Sequence, residues 1–364
     1  MDEGLLLLGA VAAACWLAYA GFAWRVGKRL KAAERTIPST EVSGKLTVLI
    51  PCRNEAEALP YLLSDLRAQS HPVRIVVIDD GSADGTCGAA DAAGVECIPA
   101  VGSGKKAALA TGFKHAQTAW FATVDADVRL GPDWARNVLA VAAHKNAACV
   151  LGGVVIEANP STAWNRFQQL EFAVMQSWIA GGVQSGRLAM GSGANSLYAT
   201  ATYPVDALQP EWASGDDAFA LLALRRAGKA IAWCGIPEAR AATAAATDWK
   251  SLWQQRARWA SKTGGQDGET HRTALTIAAM HVVPVALAIG AAVADSPLGW
   301  WMLIGFIAAK ALVDWRLLAL ASREFEISLR ASDVLAFPFR YAVLVWGAWW
   351  QLLRGGVPWK GRPI

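Results

Sequence analysis

Apolar residues follow three different patterns along this chain. Residues 5–24 are twenty consecutive positions without a charge, enough as a helix rising about 1.5 Å per residue to cross a hydrocarbon layer of about 30 Å. Asp2 and Glu3 precede the run, and Arg25, Lys28, Arg29 and Lys31 come after it. A cleaved signal peptide carries its positive charges first and a small-residue cleavage site last. The reversed order predicts a retained transmembrane anchor over residues 1–30, its positive flank holding the next segment of the chain in the cytoplasm.

The middle of the chain reads differently. Short apolar runs at 46–50, 75–78, 95–98, 121–124 and 149–156 are bounded by Gly, Asp and Pro and separated by stretches of helical length. Such runs predict an α/β domain with a mostly parallel sheet over residues 45–268, and ligands of such sheets bind beyond the carboxyl ends of the strands. Residues 164–172 read either as an amphipathic segment on a membrane surface or as a buried domain helix.

Long apolar runs return over 273–364. Residues 273–294 contain only His281 as a titratable group, and 298–320 carry Lys310, Asp314 and Arg316 in their second half. Lys310 is close enough to the cytoplasmic side to snorkel, and it can also pair with Asp314 one turn on. Residues 334–353 are apolar but interrupted by Pro338 and Arg340. A fourth span there leaves Arg354, Lys360 and Arg362 outside, against the positive-inside tendency. Three spans plus a re-entrant or interfacial segment are therefore expected.

Composition sharpens the picture. The chain is 54% hydrophobic and only 18% charged, unlike a soluble protein of this length. Many of its 18 Trp residues fall at the edges of apolar segments, where indole rings favour the membrane interface. A net charge of +4 from 34 basic and 30 acidic residues argues against a nucleic-acid partner. The six cysteines, at 15, 52, 87, 97, 149 and 234, show no C-x-x-C pair. Neither a disulfide framework nor a zinc site is expected, and a reduced compartment is the simplest setting.

Four acidic or basic clusters carry the candidate chemistry. Asp79 and Asp80 end an apolar strand at a Gly turn; they either project into the crevice, where they can accept hydrogen bonds from a nucleoside, or cap the turn. Asp125 and Asp127 end another strand with D-x-D spacing, which puts both carboxylates on one side, where they can share a divalent cation with substrate phosphates. Asp216 and Asp217 open an amphipathic helix after Ser214 and Gly215. The helix dipole favours their ionised form, as capping and general-base roles both require. Gln255, Arg258 and Trp259 lie just before the membrane, with a planar fork for phosphate and an aromatic face for a sugar ring. In that segment Arg256 and Lys262 read as headgroup contacts. The Gly102-Ser103-Gly104-Lys105-Lys106 turn fails the P-loop pattern, because Pro99 replaces the first Gly and Lys106 the Ser or Thr. Lys105, at a helix start, keeps a phosphate-contact role.

This ordered set resembles the family 2 glycosyltransferases of GT-A fold. The resemblance includes Ile50-Pro51-Cys52-Arg53-Asn54-Glu55, similar to the family's IPxRNE, and Gly104-Lys105-x-x-Ala108-Leu109, similar to its GKxxAL. It covers residues 45–265, and Trp359-Lys360-Gly361-Arg362 adds likeness to a bacterial membrane branch. The resemblance implies a membrane-bound inverting transferase that moves a sugar from a nucleoside diphosphate sugar, most often a UDP-sugar, to a lipid or glycan acceptor. It implies that Pro51, Arg53, Asn54, Glu55, Asp79, Asp80, Lys105, Asp125, Gln255, Arg258 and Trp259 bind the nucleotide sugar. Asp125 and Asp127 would hold Mg²⁺ or Mn²⁺, and Asp217, beside Asp216 where the family usually has Glu, would be the base. The setting implied is a multi-pass inner-membrane protein with a cytoplasmic catalytic domain. The Q-x-x-R-W group also includes processive polysaccharide synthases, although three or four spans are few for a polymer channel. Residues 191–195 read as a contributor to the donor or acceptor floor, or as a plain Gly-rich turn. A non-catalytic nucleotide-sugar-binding module and a membrane nucleotidyltransferase are the competing classes.

Overall fold

The computed structural model describes residues 2–30, 44–159, 161–187, 190–208, 215–261 and 263–355. They form two compact units. The first is built from 1–31, 159–178 and 246–355, the second mainly from 32–158 and 179–245. Residues 159–178 and 246–268, which lie within the expected domain at 45–268, group with the helical unit.

The second unit is the α/β domain. Its elements in order are β1 (Leu46–Cys52), α2 (Leu59–Arg67), β2 (Val73–Asp79), α3 (Thr86–Ala92), β3 (Glu96–Pro99), α4 (Lys105–Phe113), β4 (Trp120–Thr123), β5 (Val128–Leu130), α5 (Trp134–Lys145), β6 (Cys149–Gly152), β7 (Val154–Glu157), β8 (Ser196–Ala199), α7 (Asp216–Arg226), β9 (Ile231–Cys234) and β10 (Ala241–Ala244). The main sheet runs in the order β3-β2-β1-β4-β8-β6-β9. It is parallel from β3 to β4 and between β6 and β9, with β8 antiparallel to both neighbours. The run 149–156, expected as one strand, is two: β6 stays in the main sheet and β7 pairs with β10 in a three-stranded sheet with β5. The chain breaks at Gly153 because each half finds a different ladder, something apolar content cannot reveal.

Six of the seven residues of β1 are buried, as a central parallel strand requires. Helix α4 lies so close to β2 that a Cβ at Gly112 would stand 2.8 Å from Ile78 Cδ1. Phe121, Tyr198, Tyr203 and Phe113 pack ring to ring at one end of the core. One expectation is overturned: Cys87 on α3 and Cys97 on β3 form a disulfide across a Cα–Cα distance of 5.8 Å. The turn at Gly94 folds β3 back beside α3, so two cysteines ten residues apart meet without a C-x-x-C signature.

The first unit is helical: α1 (Asp2–Leu30), the first part of α6 (Ala163–Gln184), α8 (Trp249–Ala260), α9 (Gly268–Ala294), α10 (Pro297–Glu324) and α11 (Ala331–Leu353). Phe167, Leu170, Leu252, Leu318, Phe337 and Leu344 form its core across α6, α8, α10 and α11. Residues 164–172 lie in α6 and are largely buried there, with Arg166, Gln168 and Glu171 all inside; the surface-lying alternative falls. Each of these three buried polar side chains needs a partner, and each has one. Arg166 pairs with Asp333, Gln168 exchanges hydrogen bonds with Ala246, and Glu171 pairs with Arg256. Helices α1 and α9 are long and apolar enough to cross a membrane. Lys310 does not snorkel: its ammonium is buried and donates to Asp314 Oδ2 at 2.6 Å, while the Tyr19 hydroxyl donates to Asp314 Oδ1 at 2.6 Å. Residues 331–353 form one continuous helix through Pro338, without the reversal a re-entrant segment needs. Its Gly347 meets Trp253 so closely that a Cβ would stand 2.2 Å from the indole.

Candidate active site

Strand β1 has β2 on one side and β4 on the other, so the strand order reverses there. A crevice at such a switch point opens beyond the carboxyl ends of the strands. The loop after β1 turns at Asn54, whose φ of 53° is in the left-handed region that Asn tolerates. It is laced to the loop after β2. Asn54 N–H donates to Ser82 Oγ at 2.9 Å and Ala83 N–H to Asn54 Oδ1 at 2.8 Å. Glu55 N–H donates to Thr86 Oγ1 at 2.9 Å and Ala56 N–H to Asp84 Oδ2 at 3.0 Å. Arg53 donates to the Asp80 carbonyl at 2.8 Å. Asp84, which sequence reasoning passed over, is held below the usual carboxylate range, first by the Thr86 hydroxyl and then by the amides of Ala56 and Thr86.

The two acids after β2 divide their work. Asp79 accepts from the Ser82 amide at 3.2 Å and from its hydroxyl, which is turn capping. Asp80 is buried, and its Oδ1 accepts from Gly104 N–H at 2.8 Å. It thereby caps α4, which has no side-chain cap of its own. Lys105, the first residue of α4, donates from Nζ to Asp125 Oδ1 at 2.5 Å. Arg53, Asp80, Gly104, Lys105 and Asp125 thus form one polar rim across the carboxyl ends of β1, β2 and β4. Its end at Lys105 and Asp125 is partly open to solvent.

Strand β4 stops at Thr123, so Asp125 and Asp127 sit in the turn to β5 and not on a strand extension. The turn nevertheless preserves the alternation: Val124, Ala126 and Val128 are buried, Asp125 is half-buried and Asp127 exposed. Among the described residues no group of three or more His, Cys, Asp or Glu side chains converges as a closed metal site. Two outward carboxylates are the donor set expected for Mg²⁺ or Mn²⁺ that takes its remaining ligands from water and substrate phosphates.

Helix α7 begins at Asp216 after Gly215 at φ 94°, a backbone conformation that favours glycine. Ser214 lies outside the described residues. Asp217 Oδ2 accepts from Gly193 N–H at 3.1 Å and Oδ1 from Ala218 N–H at 2.8 Å. Residues 191–195 therefore orient the Asp217 carboxylate. Their own anchor is Asn195, fully buried, which donates to the carbonyls of Gly153 and Ala239 and accepts from Trp134 Nε1, all at 2.9 Å. A Cβ on Gly152 would stand 2.2 Å from Asn195 Nδ2, so that position has no room for a side chain. Lys106 is also buried, its ammonium 4.5 Å from the Phe219 ring on α7. Asn195 was read only as part of the 191–195 floor or turn and not as a buried anchor, and Lys106 was missed because nothing local distinguishes it from a helix-surface lysine.

Gln255, Arg258 and Trp259 lie on α8, in the helical unit, a helix opened by the reciprocal Asp248–Ser251 capping box. Gln255 Oε1 accepts from Arg256 at 2.5 Å. Arg256 is not a headgroup contact: it is buried, paired with Glu171 and stacked 4.3 Å from the Trp259 ring centroid. Lys262 and residues 359–362 lie outside the described residues.

Residues 47–199 match the model of glycosyl transferase family 2. The 4,4'-diaponeurosporenoate glycosyltransferase of Staphylococcus aureus (strain USA300) is 38% identical over 89 residues, 23% of this chain. That match spans 24% of the relative's length. Among solved structures, the mannosyltransferase PcManGT from Pyrobaculum calidifontis, in complex with GDP-Man and Mn²⁺, covers 88% of this chain and 99% of its own at 19% identity and a TM-score of 0.60. The chain thus shares the fold of that transferase. S. aureus TarS 1-349 in complex with UDP aligns over 82% of this chain and 91% of its own, at 15% identity and a TM-score of 0.41.

Proposed function

We propose that this chain, whose residues 47–199 match the family 2 glycosyltransferase model, is a membrane-bound inverting glycosyltransferase that moves a sugar from a nucleoside diphosphate sugar to a lipid acceptor. The observation that carries this reading is the polar rim from Arg53 to Asp125 at the strand-order reversal, with outward carboxylates at its end. The donor nucleoside meets the β1 and β2 loops, and Lys105 exchanges its contact with Asp125 for a phosphate oxygen. Asp125 and Asp127 would hold a divalent cation, which would supply charge neutralisation to the leaving diphosphate. Asp217, oriented by Gly193, takes the proton of the acceptor hydroxyl while its oxygen attacks the anomeric carbon from the face opposite the diphosphate. One displacement inverts the configuration. Gln255, Arg258 and Trp259 contact the diphosphate and the acceptor sugar or hydroxyl.

The membrane setting rests on α1 and α9, whose length and hydropathy suit spanning. Leu6, Leu7 and Leu17 on α1 and Leu275, Ile289 and Val293 on α9 leave their apolar side chains exposed, which is favourable in lipid and costly in water. The relative named for 4,4'-diaponeurosporenoate supports a lipid-like acceptor, and the positive flank after α1 supports a cytoplasmic catalytic domain.

The test is nucleotide release by the full-length protein in detergent, with Mn²⁺ or Mg²⁺, a panel of UDP- and GDP-sugars and a total lipid extract. Metal-dependent release that requires one sugar and rises with lipid is expected. Asp127→Ala and Asp217→Asn should each lower it by about 10²-fold or more. Protein that binds the nucleotide but turns over no sugar in the panel would sink the transferase reading in favour of a binding module.

A further inference from the structure

The arginine inside the Q-x-x-R-W segment holds two of its neighbours at once. Arg256 donates from Nε to Glu171 Oε1 at 3.1 Å, and Nη2 donates to Glu171 Oε2. Nη1 donates to Gln255 Oε1 at 2.5 Å. The same guanidinium lies 4.3 Å from the Trp259 ring centroid and 5.7 Å from that of Phe172. Phe172 and Trp259 are themselves 6.0 Å apart. Both charged side chains of the pair are almost fully buried.

A bidentate carboxylate leaves a planar guanidinium one orientation. Turning it would strand a buried charge, which is among the most costly changes available to a protein interior. The orientation chosen by Glu171 is therefore passed on to Gln255 through Nη1 and to Trp259 through the cation–π contact. An indole has two faces; Arg256 takes one, so a sugar ring can lie only against the other.

We propose that Glu171 on α6 is a positioning residue for the glycosyl-transfer site: through Arg256 it fixes the Gln255 amide and presents one preset face of Trp259 to a hexose. This inference rests on the transferase reading above.

The test uses full-length protein in detergent labelled with 5-fluorotryptophan, with the Trp259 resonance assigned through Trp259→Phe. Glu171→Gln removes the charge and keeps the shape. It is expected to shift or broaden the Trp259 resonance while resonances of tryptophans remote from Arg256 stay in place. In the nucleotide-release assay, run below the lowered melting transition that loss of one partner of a buried pair brings, it should lower kcat/KM by about tenfold. If Glu171→Gln fails to fold, Glu171→Asp, which keeps the charge on a shorter arm, is read in the same way. A Trp259 resonance unmoved in the folded variant overturns the inference, as does unchanged kcat/KM. Wild-type protein that releases no nucleotide from any donor overturns the transferase reading instead. The fluorine spectrum then still decides whether Glu171 orients Trp259.

Discussion

At the scale of single residues, the site is organised by side chains whose importance is invisible locally. Asn195 is the clearest case. Replacing it with Ala takes the Asn195 contact from the Ala239 carbonyl and from the Trp134 indole N–H, at about 1–3 kcal/mol each when water cannot substitute, while the Gly153 carbonyl keeps the Ala241 N–H. Asn195→Ala is expected to destabilise the α/β unit by about 2–4 kcal/mol. It should also lower nucleotide release, because Gly193 two residues away loses its setting against Asp217; thermal melting and turnover of the one variant report both. Asp84 gives a pH dependence. Its carboxyl is depressed in the folded loop, so its contribution is present above the ordinary aspartate value of about 3.9 and is lost as pH falls through the folded value. Amide protection at Ala56 and Thr86, corrected for intrinsic exchange, should be flat from about pH 8 to 5 and fall below that. In Asp84→Ala it should be lost at every pH, as hydrogen exchange read by mass spectrometry will reveal.

At the scale of elements, the strand and helix positions followed from apolar periodicity, and the exceptions have identifiable causes. The run 149–156 splits because β6 and β7 are claimed by different sheets. Asp125 and Asp127 alternate on a turn and not on a strand, with the same result for their side chains. The disulfide joins α3 to β3 directly behind the loops laced around Asp79 to Thr86. Closing a loop of about ten residues removes chain entropy from the unfolded state, about 2–3 kcal/mol in the entropic account. Cys87→Ser is expected to lower the melting transition of the α/β unit accordingly, with the sheet intact. Alkylation of the native protein before and after reductant should then differ by the Cys87 and Cys97 thiols. Buried Cys234, its thiol pushed up to about 12 by burial, should react only after unfolding.

At the scale of the whole molecule, each unit is held by a different kind of force. The α/β unit buries a continuous apolar sheet. The helical unit adds buried ion pairs to its apolar core: Arg166 with Asp333, Glu171 with Arg256, and Lys310 with Asp314 and Tyr19. Removing one partner of a buried pair costs more than removing both, about 3–5 kcal/mol, because a lone charge stays behind. Asp314→Ala should therefore destabilise the helical unit strongly, and Lys310→Met with Asp314→Leu should recover much of the loss, as read by melting in detergent.

The sequence by itself determined the alternation that makes a mostly parallel sheet, the apolar runs that become α1, α9, α10 and α11, and the places where acids come after strands. Each of these depends on residues within one element, where periodicity, charge and Gly or Pro punctuation are local. Only the tertiary structure decided which partner each polar group has. It turned Arg256 and Lys310 from surface cations into buried ones, set Asp80 as the cap of α4, joined Cys87 to Cys97 and placed Asn195 behind Asp217. Those outcomes depend on contacts between residues distant in the chain. A side chain's own neighbours in sequence carry no record of which carboxylate, carbonyl or ring will meet it when the elements pack.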